Sequence, residues 1–116
     1  EQARRLTMTA VTTHLTVEQG AEWSYGWAVT YNGDPIDDTW TAASQVRASK
    51  IAATTLHEFT AAVDASGNVT IGVTATESSA WTWEKGVYDV EVTNAAETVT
   101  LRVAQGNVTV DREVTR

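Results

Sequence analysis

Trp23-Ser24-Tyr25-Gly26-Trp27-Ala28-Val29-Thr30-Tyr31 is the stretch whose reading decides the fold. Trp23, Tyr25, Trp27, Val29 and Tyr31 fall on every second residue, and Ser24, Gly26, Ala28 and Thr30 fill the places between. A strand repeats every two residues, so the bulky groups share one face and the small ones the other. No helix gathers these aromatics on one side. The stretch is therefore expected to be the central strand of an all-β domain, with its aromatic face inward.

The rest of the chain extends this pattern. Leu6 to Glu18 is rich in Thr and Val and alternates in two phases: Leu6 and Met8 in one, Val11, Leu15 and Val17 in the other. The slip near Thr9–Ala10 suggests a bulge or a strand that changes sheets. Asn32-Gly33 is a tight-turn signal, and Pro35 holds Asp34 extended. A strand is expected over 40–49, with Trp40, Ala42, Ser44 and Val46 on one face, then a loop over 50–55. Further strands are expected at Leu56–Val63, around Val69, Ile71 and Val73, over Val87–Thr93 with Tyr88, Val90 and Val92 inward, and around Val99, Leu101 and Val103. Gln105-Gly106 reads as a bulge or bend before Val108 and Val110. A helical turn is expected over 77–83, capped by Thr76 and closed by Gly86. The expected core is Trp23, Tyr25, Trp27, Val29, Trp40, Val46, Val69, Ile71, Val73, Tyr88, Val90, Val92, Val99, Leu101 and Val103. Seven or eight short strands separated by turns predict an antiparallel β-sandwich. The expected organisation is a flexible or docking arm over 1–5, one domain over 6–113 and a tail over 114–116.

At 116 residues the chain can bury a core without metals or disulfides, and it has no cysteine for either. Its net charge is −7. Between Leu6 and Asp111 only Arg47, Lys50, Lys85 and Arg102 stand against 13 acids, a balance of −9. That field repels nucleic acid and anionic lipid, and no apolar run approaches the ~20 residues of a membrane span. No signal peptide is visible; the chain starts at Glu1, which leaves a removed leader open.

Catalytic inventories are thin. His14 and His57 are the only histidines, and no serine stands in a G-x-S-x-G elbow. Asp34, Asp37 and Asp38 cluster in one loop, without the spacing of a calcium loop, and read as solvated turn residues. Phosphate-binding glycine loops are absent, and no cofactor or metal is expected. Two N-x-T triplets, at Asn68 and Asn107, match by chance in a chain with 20 threonines. Trp81 and Trp83, in W-T-W, are the candidate exposed platform for a sugar; core or protein contact is the stronger reading of the tryptophans.

The order of motifs resembles a known family. L-T-V-E-Q-G-A-E-W (from Leu15) is followed by N-G-D-P-I-D-D-T-W-T-A, a strand ending Q-V-R, and G-N-V-T-I-G-V-T-A-T-E-S-S-A. K-G-V-Y-D-V-E-V-T and a last hairpin ending G-N-V-T-V-D-R-E-V-T complete it. This is similar to the immunoglobulin-like domain at the start of phage upper baseplate proteins and in small phage virion proteins, over roughly 15–115. Asp38-Thr39-Trp40 replaces the family's usual Leu-Thr-Gly-Tyr step, and Trp83 to Tyr88 lacks its proline. The resemblance implies an immunoglobulin-like fold and a non-enzymatic virion protein, tail- or baseplate-associated, assembled in the host cytoplasm and binding other virion proteins in many copies or as a homo-oligomer. Capsid decoration is the alternative within that class, and a carbohydrate-binding module the alternative outside it. In the family pattern the counterparts of Trp23–Tyr31 are apolar at the same alternation. Attention then moves to the other face: Ser24, Gly26, Ala28 and Thr30, with Arg4, Arg5 and Arg112, form the candidate protein interface.

Overall fold

A computed structural model describes residues 10–114. In chain order the elements are β1 (Val11–Thr12), β2 (Leu15–Glu18), β3 (Trp23–Ala28), β4 (Thr30–Tyr31), β5 (Asp34–Pro35), β6 (Thr41–Arg47), β7 (Thr55–Val63), β8 (Asn68–Val73), α1 (Ala75–Ser79), β9 (Lys85–Thr93) and β10 (Thr100–Asp111). Eight strands form one curled mixed sheet in the order β1-β10-β9-β6-β7-β8-β3, with β2 also on β10. The fold is all-β.

The curl comes from β7. Its first half pairs with β6, Ser44 facing Phe59, and its second half pairs with β8, Val63 facing Val69. One long strand thus serves two neighbours, and the sheet folds over its own inner face. That face holds Leu15, Val17, Val46, Phe59, Val69, Ile71, Val73, Tyr88, Val90, Val92, Val108 and Val110, all buried. These residues alternate along their strands, so the twofold period sorts them inward without exception within β8 and β9. Ser44 is the polar member of the inner row, and its hydroxyl donates to the Asp89 carbonyl at 2.7 Å.

Turns follow from local chemistry. Asn32 and Gly33 both have positive φ, 54° and 87°, the pair required by a two-residue hairpin between β4 and β5. Between β7 and β8 the Asp64 carboxylate accepts from the backbone N–H of Ser66 and Asn68, both at 2.9 Å. Between β9 and β10, Asn94 Oδ1 accepts from the N–H of Thr98 at 2.9 Å and Val99 at 3.1 Å.

Several expectations are corrected. β3 lies at the end of the strand order, pairing with β8 alone among the described residues, and is not central. An edge strand has a neighbour on one side only, so its aromatic face is covered in part: Trp23 and Trp27 are half-buried and Tyr25 is 43% exposed. Trp40, Val99 and Leu101 are likewise half-buried at the rim, whereas Val29, where the chain leaves the edge, is buried. The sheet is not wholly antiparallel, because β1 and β2 both run parallel to β10. No hairpin joins them, so nothing local forces the antiparallel sense.

The break in the first segment falls at Thr13–His14, between β1 and β2, and Val11 is 55% exposed while Leu15 and Val17 are buried. In β10 the irregularity sits between Arg102 and Ala104, not at Gln105-Gly106. There Val103 and the adjacent Ala104 are both buried, as an inserted residue requires. The helix is α1, capped by Thr74: its hydroxyl accepts from Glu77 N–H and the Glu77 carboxylate accepts from Thr74 N–H. The reciprocal cap needs an acid or amide three residues on, which Thr74 has and Thr76 lacks. Trp81–Trp83 lies in neither helix nor strand, and Gly86 lies within β9. The expected arm over 1–5 lies outside the described residues.

Candidate protein interface

The small residues of β3 belong to a wider surface. Register sets Ser24 beside Gly72, Gly26 beside Thr70 and Ala28 beside Asn68. On the far side of β8, Thr60 stands beside Gly72 and Ala62 beside Thr70. Apart from the half-buried Gly72, these side chains are exposed. Thr30, just beyond the strand, is exposed as well. Residues 23–33, 59–63 and 68–76 carry no charge in a chain of net charge −7. Three adjacent strands therefore present a flat face of small, uncharged groups.

Arg112 does not join this face. Its guanidinium donates to the Thr82 carbonyl at 3.4 Å and stands 3.3 Å from the Glu84 carboxylate. Arg4 and Arg5 lie outside the described residues. α1 braces the approach to β3 instead. The buried Ser78 hydroxyl accepts from Gly20 N–H at 2.9 Å and donates to the Ala21 carbonyl at 3.2 Å, while Gln19 Nε2 donates to the Trp81 carbonyl.

A second surface went unread in the sequence. The outer positions of β6, β9 and β10 line a shallow groove of about 480 Å³ that holds Arg47, Lys50 and Arg102. These are three of the four cations between Leu6 and Asp111. They are largely engaged internally. Arg102 stands 3.6 Å from the Asp89 carboxylate, and Arg47 donates to Gln45 Oε1 at 2.8 Å and to the carbonyls of Ala52 and Ala53. Alternation marked Arg47 as outward, but only strand order brings it level with residues some fifty positions later.

The candidate sugar platform is corrected. Trp81 is only 7% exposed and Trp83 half-buried, their rings 4.6 Å apart. The indole N–H of each, and Nε2 of His57, are buried without a hydrogen-bond partner. His57 faces inward, its ring 4.9 Å from Trp81 and 5.4 Å from Phe59. A ring as buried as that of Trp81 offers no open face for a sugar.

Burial holds the His57 imidazole below its ordinary 6.5, with Glu77 and Glu58 pulling the other way. Because the folded value is the lower one, the unfolded chain takes up the proton first as pH falls. Stability is then full above the ordinary value and drops as pH decreases below it. Denaturant unfolding followed between about pH 7.5 and about pH 5 is expected to show this loss, and His57→Phe to flatten it. Asp37, Asp64 and Glu77, each held down by hydrogen bonds they accept, add losses only at more acidic pH.

His14, Tyr88 and Asp37 make internal hydrogen bonds. His14 Nδ1 accepts from Asn107 N–H at 3.1 Å. Tyr88 donates its hydroxyl to the Thr13 carbonyl at 2.6 Å, and burial raises its pKa to about 12. Asp37 accepts from the hydroxyl and N–H of Thr39, while Asp34 and Asp38 are exposed. No helix among the described residues is long and apolar enough to cross a membrane. The chain matches no protein-family model and no curated protein.

Proposed function

We propose that this chain is a non-enzymatic structural protein of a bacteriophage particle, tail- or baseplate-associated, working through contacts with other virion proteins. The observation that carries the contact role is the uncharged, small-residue face of β7, β8 and β3. In a chain of net charge −7, such a face loses little solvation when another protein covers it. The virion setting rests on the sequence resemblance.

We also propose that the curled sheet is an immunoglobulin-like sandwich. The pairings support this: β3-β8-β7 on one side, β10-β9-β6 on the other, and β2 parallel on the last strand. Immunoglobulin-like domains are likewise divided into two packed antiparallel sheets.

Mass spectrometry and cryo-electron microscopy of purified particles of the encoding phage test the function. The expected result is the chain present in stoichiometric, multi-copy amounts, with density on the tail or baseplate. Density on the head surface makes it a decoration protein instead. Particles that lack the chain overturn the proposal.

A further inference from the structure

We infer that two copies of this chain associate through the open edge of β3, antiparallel across a two-fold axis, joining their sheets into one. This rests on the reading of the β7-β8-β3 face as a protein-contact surface and names the partner.

An edge strand carries backbone N–H and C=O groups that another strand can satisfy. Among the described residues β3 pairs only with β8, in regular register from Trp23–Val73 to Ala28–Asn68. No bulge twists this edge away, and none of its six residues is Lys or Pro, the usual blunting residues. The other outer strands are shorter: β1 and β5 have two residues each, β5 ending in Pro35, and β2 has four, ending in Glu18.

Charge selects a second copy. Two chains of net charge −7 repel over most orientations. Along β3 and β8 neither copy brings a carboxylate, since 23–33 and 68–76 are uncharged. A strongly charged partner finds no ion to pair with here, whereas a second copy meets no repulsion. Antiparallel pairing keeps odd positions on one face and even on the other. Trp23, Tyr25 and Trp27 of both copies then form one aromatic row, and Tyr25, now 43% exposed, gains aromatic neighbours. On the opposite face Ser24, Gly26 and Ala28 have no bulk to splay the strands.

The chain's own start is poorly directed for this edge. Trp27 Nε1 donates to Thr13 Oγ1 at 3.4 Å, and from Thr13 the chain runs forward along β10 to the turn into β3. Residues 10–12 thus lead away from the Trp23 end.

Sedimentation equilibrium from about 1 µM to about 1 mM tests the inference. A monomer–dimer equilibrium is expected. Ser24→Lys with Ala28→Lys, which sets like charges on facing strands, should abolish it, although this pair lowers the net charge and by itself favours association. Thr41→Lys with Ala43→Lys makes the same charge change at exposed positions of β6, outside the β7-β8-β3 face, and should leave the dimer intact. The unaltered protein gives a second readout: those Trp23–Ala28 amides that do not bond to β8 should exchange about tenfold more slowly at the high concentration. A monomer throughout, or a dimer indifferent to the β3 lysines with no concentration-dependent protection, overturns the inference. A β3 dimer formed by a chain missing from phage particles leaves it standing and removes the virion reading; a monomer found on particles does the reverse.

Discussion

Trp81→Ala is expected to lower folding stability by about 4 kcal/mol, the range for deleting a buried indole. Trp81 touches three aromatic neighbours, with ring centroids 4.6 Å away at Trp83, 4.9 Å at His57 and 6.5 Å at Phe59. It follows directly on α1, and its carbonyl accepts from Gln19 in the turn before β3. Removing the ring opens a cavity beneath His57 and loosens the packing between α1 and β7. A drop of about 15 °C in melting temperature by circular dichroism is the corresponding shift. Trp81→Phe should be far milder, about 1 kcal/mol, because the indole N–H has no partner to lose. Equal losses from the two substitutions would mean that the N–H, not the ring, carries the stability.

Gly106→Val is expected to lower stability by about 3 kcal/mol through a collision that the fold cannot relieve. A Cβ at Gly106 would fall well inside van der Waals contact of the Thr13 carbonyl oxygen, and 2.9 Å from its carbon. Thr13 cannot step aside. Its N–H donates to the Gln105 carbonyl at 2.9 Å, and its carbonyl accepts from the Tyr88 hydroxyl at 2.6 Å. Moving it breaks both bonds and parts β1 from β10. Chemical unfolding should show the loss, and near-ultraviolet circular dichroism a change in the Tyr88 environment. Tyr88→Phe removes the hydroxyl bond alone and should lower stability by about 1–2 kcal/mol. A Gly106→Val protein as stable as the parent would mean that the junction of β1 and β2 yields freely.

What alternation controls was legible before any coordinates. Val69, Ile71 and Val73, like Tyr88, Val90 and Val92, are inward because a pleated strand sorts neighbours to opposite faces. Asn32-Gly33 was legible for a similar reason: its chemistry acts over two residues. The helix starts two residues before the expected 77 and ends at Ser79 instead of 83, because Thr74 and Thr76 are both plausible caps and only the three-residue spacing to Glu77 separates them. At the candidate interface, alternation puts Ser24, Gly26 and Ala28 on one face of the strand but does not show what stands beside them. Asn68, Thr70, Thr60 and Ala62 extend it, and their sequence distance hid them. Arg112 was grouped with it on charge alone, and the ion pair with Glu84 holds that residue elsewhere.

The sequence by itself determined an all-β chain, the inward and outward sides of its strands, and the turns between them, since each depends on steric and hydrogen-bonding terms within a few residues. Tertiary structure alone decided which strand stands beside which. Pairing order depends on long-range contacts, and a period of two looks the same in a central strand and at an edge. Trp23–Tyr31 reads as a core strand by pattern, yet β7 spends its length bridging β6 and β8, which leaves β3 last in the sheet. Its aromatic face is half-covered and, among the described residues, its backbone edge is unpaired for that reason.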